Sequence, residues 1–154
     1  MAKPIPIGAR GAAETTVELK HTLTAWKEHL PPVYSTPNMI GMMEAAAYNA
    51  LEPFCEGDEV SVGTAINIVH RAPATVGMKI TTEAVLESFD RRFYTFSVSA
   101  SNGHEVIGYG TIARAIVSKA KFEEKQRQKQ KALAADSRGI SWINSGQNNK
   151  TDHG

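Results

Sequence analysis

The sequence has too little cysteine for a disulfide framework or a thiolate metal site. Cys55 is the only cysteine among 154 residues, so no intramolecular disulfide can form and no cluster has zinc-ligand spacing. A chain of this length buries roughly two thirds of the surface that it exposes when unfolded, and needs no such staple. We therefore expect no metal, no cofactor and a reducing compartment.

Charge of one sign and long apolar runs are also missing. Lys and Arg total 17 against 16 Asp and Glu, and a net charge of +1 provides no broad field to attract nucleic acid or an anionic membrane. No stretch approaches the roughly 20 apolar residues of a membrane span, and residues 1–10 lack the apolar run of a secretory signal. The sequence predicts a soluble, cytoplasmic protein without a nucleic-acid or membrane partner.

What is present is a succession of strand and helix signals sized for one domain. Residues 14–25 carry a moderate strand signal. Thr36 and Pro37 fit an N-cap followed by a first helical position, and the apolar residues from Asn38 to Leu51 recur at helical spacing. These features predict a first strand and then one helix of about four turns.

After this helix the apolar period changes from 3.6 to 2, which is the period of strands. Strands are predicted over residues 64–70, 78–88, 93–101 and 104–117, with Asn102-Gly103 as the turn between the last two. Consecutive strands joined by short turns form an antiparallel meander, and the single long helix must cover its apolar face. The predicted fold class is α+β.

The composition changes at Lys119. Residues 1–118 are expected to form the domain, and residues 119–154 a charged surface helix followed by a disordered tail. Trp142 and Ile143 are the apolar exception in that tail, either simply exposed or docked on a partner. Truncation after about Ala135 should leave fold and activity intact.

Three polar residues occupy positions where chemistry is possible. Glu44 is the only charge in the long helix, where a carboxylate is costly unless it is paired or useful, and the alternative is a solvent-exposed glutamate. His70 shares a strand face with two isoleucines, which turns it inward either as a structural histidine or as an acid, base or hydrogen-bond donor. Thr36 is either a cap alone or a hydroxyl beside the unpaired N–H groups of a helix N-terminus.

Arg114 is a fourth polar candidate, because alternation puts it between Ile112 and Ile116 on one strand face. An inward arginine needs a counter-charge, and Glu44 is the predicted partner that this pairing would keep ionised. The alternative is an edge or bulged strand from which Arg114 reaches solvent.

Three segments, VYSTPNMIGMMEAAAYNAL, SVGTAINIVHRAPATVG and GYGTIARAIV, together resemble the fluoroacetyl-CoA thioesterase-like branch of the hot-dog thioesterases. The resemblance spans about residues 12–125. It depends on order and spacing: threonine at the helix start, glutamate eight residues later, and histidine twenty-six residues beyond the glutamate on the next strand.

The resemblance implies a hot-dog fold, in which one long central helix is wrapped by an antiparallel sheet, and a homodimer or larger assembly with active sites at the subunit interface. It implies hydrolysis of a small acyl-CoA, with Thr36, Glu44 and His70 as catalytic residues and the backbone of Gly63 near the thioester carbonyl. Ahead of the helix, Tyr34 is the only aromatic where fluoroacetyl-specific members have phenylalanines. Fluoroacetyl selectivity therefore does not carry over.

Two other functions stay open, because a fold does not determine a function. One is a hot-dog hydratase or dehydratase, against which the Thr, Glu, His spacing argues. The other is a non-catalytic acyl-CoA-binding or regulatory protein, which would have an intact site without turnover. For the thioesterase, Glu44 acts either as a nucleophile or as a base on water, and the sequence does not separate the two.

Overall fold

Residues 3–136, which a computed structural model describes, form five strands and three α-helices, with two single 3-10 turns between them. In chain order these are β1 Arg10–Thr16, α1 Leu23–Trp26, α2 Thr36–Leu51, β2 Glu59–His70, β3 Lys79–Asp90, β4 Phe93–Ser101, β5 Val106–Ser118 and α3 Lys119–Ala135. The chain divides into two compact units between Val117 and Ser118.

The strands of the first unit form one sheet in the order β1-β3-β4-β5-β2. The pairs β1–β3, β3–β4 and β4–β5 are antiparallel, so β3, β4 and β5 form a meander. The predicted meander also included the strand over residues 64–70, but that strand, β2, is the neighbour of β5 and not of β3. The long helix α2 packs on this sheet, which confirms the predicted α+β class. Strand β2, which leads from Gly63 to His70, lies at one edge of the sheet.

Small residues let α2 approach the sheet closely. The helix buries Met39, Met43, Ala46, Ala47, Ala50 and Leu51 against apolar side chains of β3, β4 and β5. On β1, a Cβ at Gly11 would overlap the backbone oxygen of Ala46 and come within 2.9 Å of the Ala50 Cα. The packing of β1 on α2 therefore requires glycine at position 11.

The first strand differs from the prediction over residues 14–25. The strand is Arg10–Thr16, and the chain then turns through a 3-10 segment, Leu19–His21, into α1. The hydroxyl of Thr22 donates to the Leu19 carbonyl at 2.7 Å, a local bond that favours a turn over an extended chain. The alternation of apolar and polar residues over 14–25 was too weak to exclude this turn.

The connection between β4 and β5 is longer than the predicted two-residue turn. The Asn102 side-chain oxygen accepts hydrogen bonds from the backbone N–H groups of His104 and Glu105, at 2.9 and 3.0 Å. Gly103 has a φ of 92°, a left-handed conformation that favours glycine. The loop therefore covers residues 102–105, and β5 begins at Val106.

The second unit contains α3, the predicted charged helix. Ser118 caps it by accepting a hydrogen bond from the Lys121 backbone N–H at 3.4 Å, and no residue of α3 is buried. Trp142 and Ile143 lie outside the described residues. Between residues 3 and 136, no helix has both the length and the apolar character that a membrane crossing requires.

Candidate active site

The start of α2 is capped by Ser35 and not, as predicted, by Thr36. Ser35 has an extended backbone, and its hydroxyl accepts hydrogen bonds from the backbone and side-chain nitrogens of Asn38. Thr36 is the first helical residue, so its hydroxyl is not needed for capping. The Thr36 Oγ1 instead lies 2.7 Å from the Nδ1 of His70, at the end of β2.

This bond brings two predicted site residues together at the protein surface. Thr36 is exposed and His70 is half-buried, and the buried His70 Nε2 has no hydrogen-bond partner. When Nδ1 carries the proton and donates it to Oγ1, the threonine hydroxyl is left to donate its own hydrogen to a substrate oxygen. The pair can therefore bind a carbonyl oxygen next to a helix N-terminus.

A second group forms around Gly63 on β2. A Cβ at this position would come within 2.7 Å of the Glu44 Oε1 and 3.6 Å of the Arg114 Nη1. The half-buried Glu44 carboxylate therefore rests against the bare backbone of Gly63, with the guanidinium of Arg114 alongside. The absence of a side chain at Gly63 creates the space that this carboxylate occupies.

Arg114 faces inward as predicted and is 7% exposed, but its direct partner is Ser61 and not Glu44. Its Nε donates to the Ser61 hydroxyl at 2.9 Å and its Nη2 to the Ser61 carbonyl at 2.8 Å. Within residues 3–136, no ion pair shorter than 4.0 Å joins Arg114 to Glu44. Burial lowers the pKa of Arg114, an effect that the nearby Glu44 and Tyr48 oppose.

Ser61 is the residue of this group that the sequence reasoning missed. It lies two positions before Gly63, so the period-2 pattern of β2 puts both residues on one face. This alternation was the feature of the sequence that could have identified Ser61 as a neighbour of the site. The partnership itself joins residues 53 positions apart, because β2 and β5 are neighbours in the sheet.

Tyr34 is 1% exposed, and its buried hydroxyl has no hydrogen-bond partner. Burial raises the pKa of this phenol. Together with Thr36 and His70, Tyr34 lines an open cavity of about 300 Å³ at the start of α2. The predicted aromatic therefore forms part of the wall beside the Thr36 and His70 pair.

The two groups are separate within this chain. Thr36 and Glu44 are eight residues apart on α2, a rise of about 12 Å, and Gly63 and His70 are seven residues apart on β2, about 23 Å. One group, the binding pair, consists of Thr36 and His70. The other, the carboxylate group, consists of Glu44, Gly63, Ser61 and Arg114.

Comparison with known proteins agrees with this fold. Residues 17–120 match the family model described as "Fluoroacetyl-CoA-specific thioesterase". The chain belongs to this family of thioesterases. Membership confirms the family predicted from the three sequence segments, the hot-dog fold, and the class of enzyme, a thioester hydrolase acting on acyl-CoA.

Individual family members extend the comparison. A fluoroacetyl-CoA thioesterase of Streptantibioticus cattleyicolor is 41% identical over 99 residues, which are 64% of this chain and 71% of that protein. A fluoroacetyl-CoA-specific thioesterase variant, solved with fluoroacetate and CoA, has a TM-score of 0.71 at 33% identity, covering 77% of this chain and 99% of that one. A thioesterase superfamily member of Thermus thermophilus has a TM-score of 0.80 at 30% identity, covering 86% and 98%.

Proposed function

We propose that this thioesterase hydrolyses a small acyl-CoA to the free acid and CoA, with Thr36, Glu44 and His70 as its catalytic residues. The observation that carries this assignment is the 2.7 Å contact between the Thr36 hydroxyl and the His70 ring. A threonine and a histidine 34 residues apart meet at the start of the helix that also carries the carboxylate of Glu44. The set therefore has both a donor for the carbonyl oxygen and a basic group for the attack.

In this mechanism the Thr36 hydroxyl, held by His70, donates to the thioester carbonyl and stabilises the oxyanion as it develops. Such a donor contributes several kcal/mol to transition-state stabilisation. Glu44 then attacks the carbonyl carbon, expelling the CoA thiolate and leaving a mixed anhydride that water hydrolyses, or it removes a proton from an attacking water. Both routes require a carboxylate with free oxygen lone pairs.

Release of free thiol from a panel of acyl-CoAs, from acetyl to aromatic, tests the proposal. Glu44→Gln should abolish most turnover while leaving substrate binding nearly intact, since it removes the charge and keeps the shape. Glu52→Gln is the matched control, because Glu52 is an exposed glutamate just after α2. Near-wild-type turnover by Glu44→Gln would remove Glu44 from the mechanism, and wild-type protein that binds acyl-CoA without releasing thiol would indicate a binding protein.

The proposal does not extend to the fluoroacetyl group. The segment just before α2, residues 30–34, has Tyr34 as its only aromatic, and this ring is buried. A buried ring does not form a movable gate at the entrance. We therefore expect turnover of acetyl-CoA and fluoroacetyl-CoA to differ much less than in a fluoroacetyl-specific enzyme, and the same panel measures this ratio.

We also propose that the active enzyme is a homodimer joined through β2. This strand is 12 residues long and lies at the edge of the sheet, and its residues from Gly63 to Asn67 are all exposed. Ile66 and Val69 are each 49% exposed. Long, apolar edge strands normally pair or are protected, because their free backbone groups invite another strand.

Pairing of β2 with its copy would also complete the site. If the two strands run antiparallel about a twofold axis between Ile66 and Asn67, Gly63 of one protomer lies opposite His70 of the other. The carboxylate group of one subunit would then meet the binding pair of its partner across the interface. The binding pair and the carboxylate group are far apart within one protomer, but the twofold axis would bring the binding pair of one subunit next to the carboxylate group of the other.

Complementation between two inactive variants tests this shared site. Glu44→Gln and His70→Ala protein, mixed under conditions that let subunits exchange, should regain about a quarter of wild-type activity. Half of randomly paired dimers are mixed, and each has one intact site of its two. No recovery despite proven exchange would place each active site within one protomer, and a fully active monomer would contradict the dimer itself.

A cytoplasmic location is the last element of the proposal. Cys55 is a free thiol and is the only cysteine in the chain, which suits a reducing compartment. Fractionation of cells that express the full chain should recover it with cytoplasmic markers.

A further inference from the structure

A row of three side chains, one on each of β5, β4 and β3, leads across the sheet away from the carboxylate group. Strand register places Arg114 on β5 opposite Tyr94 on β4, and Tyr94 opposite Phe89 on β3. A bulge after Leu86 brings Phe89 into this phase. Neighbouring strands are about 4.8 Å apart, so the row extends about 10 Å from Arg114 to Phe89.

The far end of this row opens into a cavity of about 570 Å³. Phe89 and Tyr94 stack there with their ring centroids 4.4 Å apart, and Phe89 is still 50% exposed. Tyr94 therefore covers one face of the Phe89 ring and leaves apolar surface for a planar group. Every purine or pyrimidine base has a π-face that stacks on such a platform.

Cations surround this aromatic pair. Lys3, Arg91 and Arg92 line the same cavity, against a single carboxylate among the lining residues, Glu59. Arg91 occupies the tip of the β3–β4 hairpin with a φ of 61°, a left-handed conformation that costs energy for any residue with a Cβ. Glycine or asparagine would suit this turn better, so the local backbone does not account for arginine there.

We propose that this cavity binds the adenine and the 3′-phosphate of CoA, with Phe89 as the stacking platform and Arg91 and Arg92 as phosphate donors. The inference rests on the proposed function, since it needs CoA as the substrate carrier. Guanidinium groups bind phosphate with paired N–H donors. CoA suits the distance as well, because its long, flexible pantetheine arm spans the row from the thioester at Gly63 to the cavity.

The charge of the whole chain does not explain this cluster. The net charge is only +1, whereas the lining residues of this cavity carry three cations and one carboxylate. By contrast, another cavity, lined by residues of β1, β3 and β4, contains Arg10 and Glu83, which form an ion pair with each other. Its cation is already neutralised, so that cavity offers no comparable site for a phosphate.

The test compares acetyl-CoA with acetyl-pantetheine, which keeps the thioester and lacks the nucleotide. Arg91→Ala/Arg92→Ala should raise the KM for acetyl-CoA at least about tenfold with kcat unchanged, as expected for lost ground-state binding. The KM for acetyl-pantetheine should not move. Arg10→Ala/Arg127→Ala is the control, because it removes the same charge from exposed arginines elsewhere and should change neither KM.

Adenosine 3′,5′-bisphosphate provides a readout that does not depend on catalysis. Calorimetric titration should show binding to wild type and to the control pair, weaker binding at high salt, and loss of binding in Arg91→Ala/Arg92→Ala. Equal KM changes for both thioesters, or unchanged bisphosphate binding in that variant, would overturn the nucleotide site. Failure of the wild type to hydrolyse any thioester while it still binds the bisphosphate would instead refute the proposed function and leave this site standing.

Discussion

Replacing Gly63 with alanine separates the chemistry of the carboxylate group from its contribution to stability. The new Cβ would lie 2.7 Å from the Glu44 Oε1, and ordinary contact begins at 3.4 Å. The carboxylate must therefore move by about 0.7 Å to reach ordinary contact. It is the end of a flexible, half-buried side chain, so it can move without disturbing the backbone of α2.

The two effects of this substitution have opposite signs. A misplacement of about 1 Å in an active site costs roughly 100-fold in rate, so we expect kcat to fall by about 10- to 100-fold. Alanine in a strand interior is more stable than glycine by roughly 0.5–1 kcal/mol, because glycine loses more backbone freedom on folding. The free energy of unfolding should therefore stay the same or rise slightly.

Thiol release and urea unfolding, measured on the same preparation, give both numbers. Gly41→Ala is the control: it lies three residues before Glu44 on the same helix, and nothing lies within 4 Å of its added Cβ. It should gain about 1 kcal/mol of stability and keep full activity. Full activity in Gly63→Ala would refute the role of Glu44 in catalysis, and a stability loss above about 2 kcal/mol would make Gly63 a packing residue.

Three further changes test the packing around the site. Gly11→Ala should destabilise the protein by about 3 kcal/mol in urea unfolding, because the added Cβ meets the backbone of α2, which cannot yield as a side chain can. Tyr34→Phe removes a buried, unpartnered hydroxyl and should stabilise the protein by about 1–3 kcal/mol. Burial raises the pKa of Tyr34 above its ordinary 10.0, so the wild type should lose stability as pH rises beyond that value. The variant has no phenol at this position and should lose less. In double-mutant cycles on stability, Arg114→Met should couple more strongly to Ser61→Ala than to Glu44→Gln, since the Ser61 hydroxyl bonds the guanidinium directly. The reverse order would support the predicted Arg114 and Glu44 pairing.

Where local signals were strong, the sequence predicted the elements well. Helix α2 ends at Leu51 as predicted, and β4 is Phe93–Ser101, because apolar periodicity and the breakers beside it are local properties of the chain. The predicted end of β1 and the predicted start of β5 were wrong, because periodicity does not report bonds between a side chain and the nearby backbone. At those points side-chain bonds of Thr22 and Asn102 to nearby backbone, with no periodic signature, turn the chain.

The sequence by itself determined which residues could carry chemistry and which family the chain belongs to. Glu44 in an uncharged helix and His70 on an apolar strand face are visible without coordinates, since period and composition reveal a face. Only the tertiary structure decided which of these groups meet. Thr36 reaches His70 across 34 residues and Arg114 reaches Ser61 across 53, and periodicity within one strand holds no information on the strand beside it or on its register.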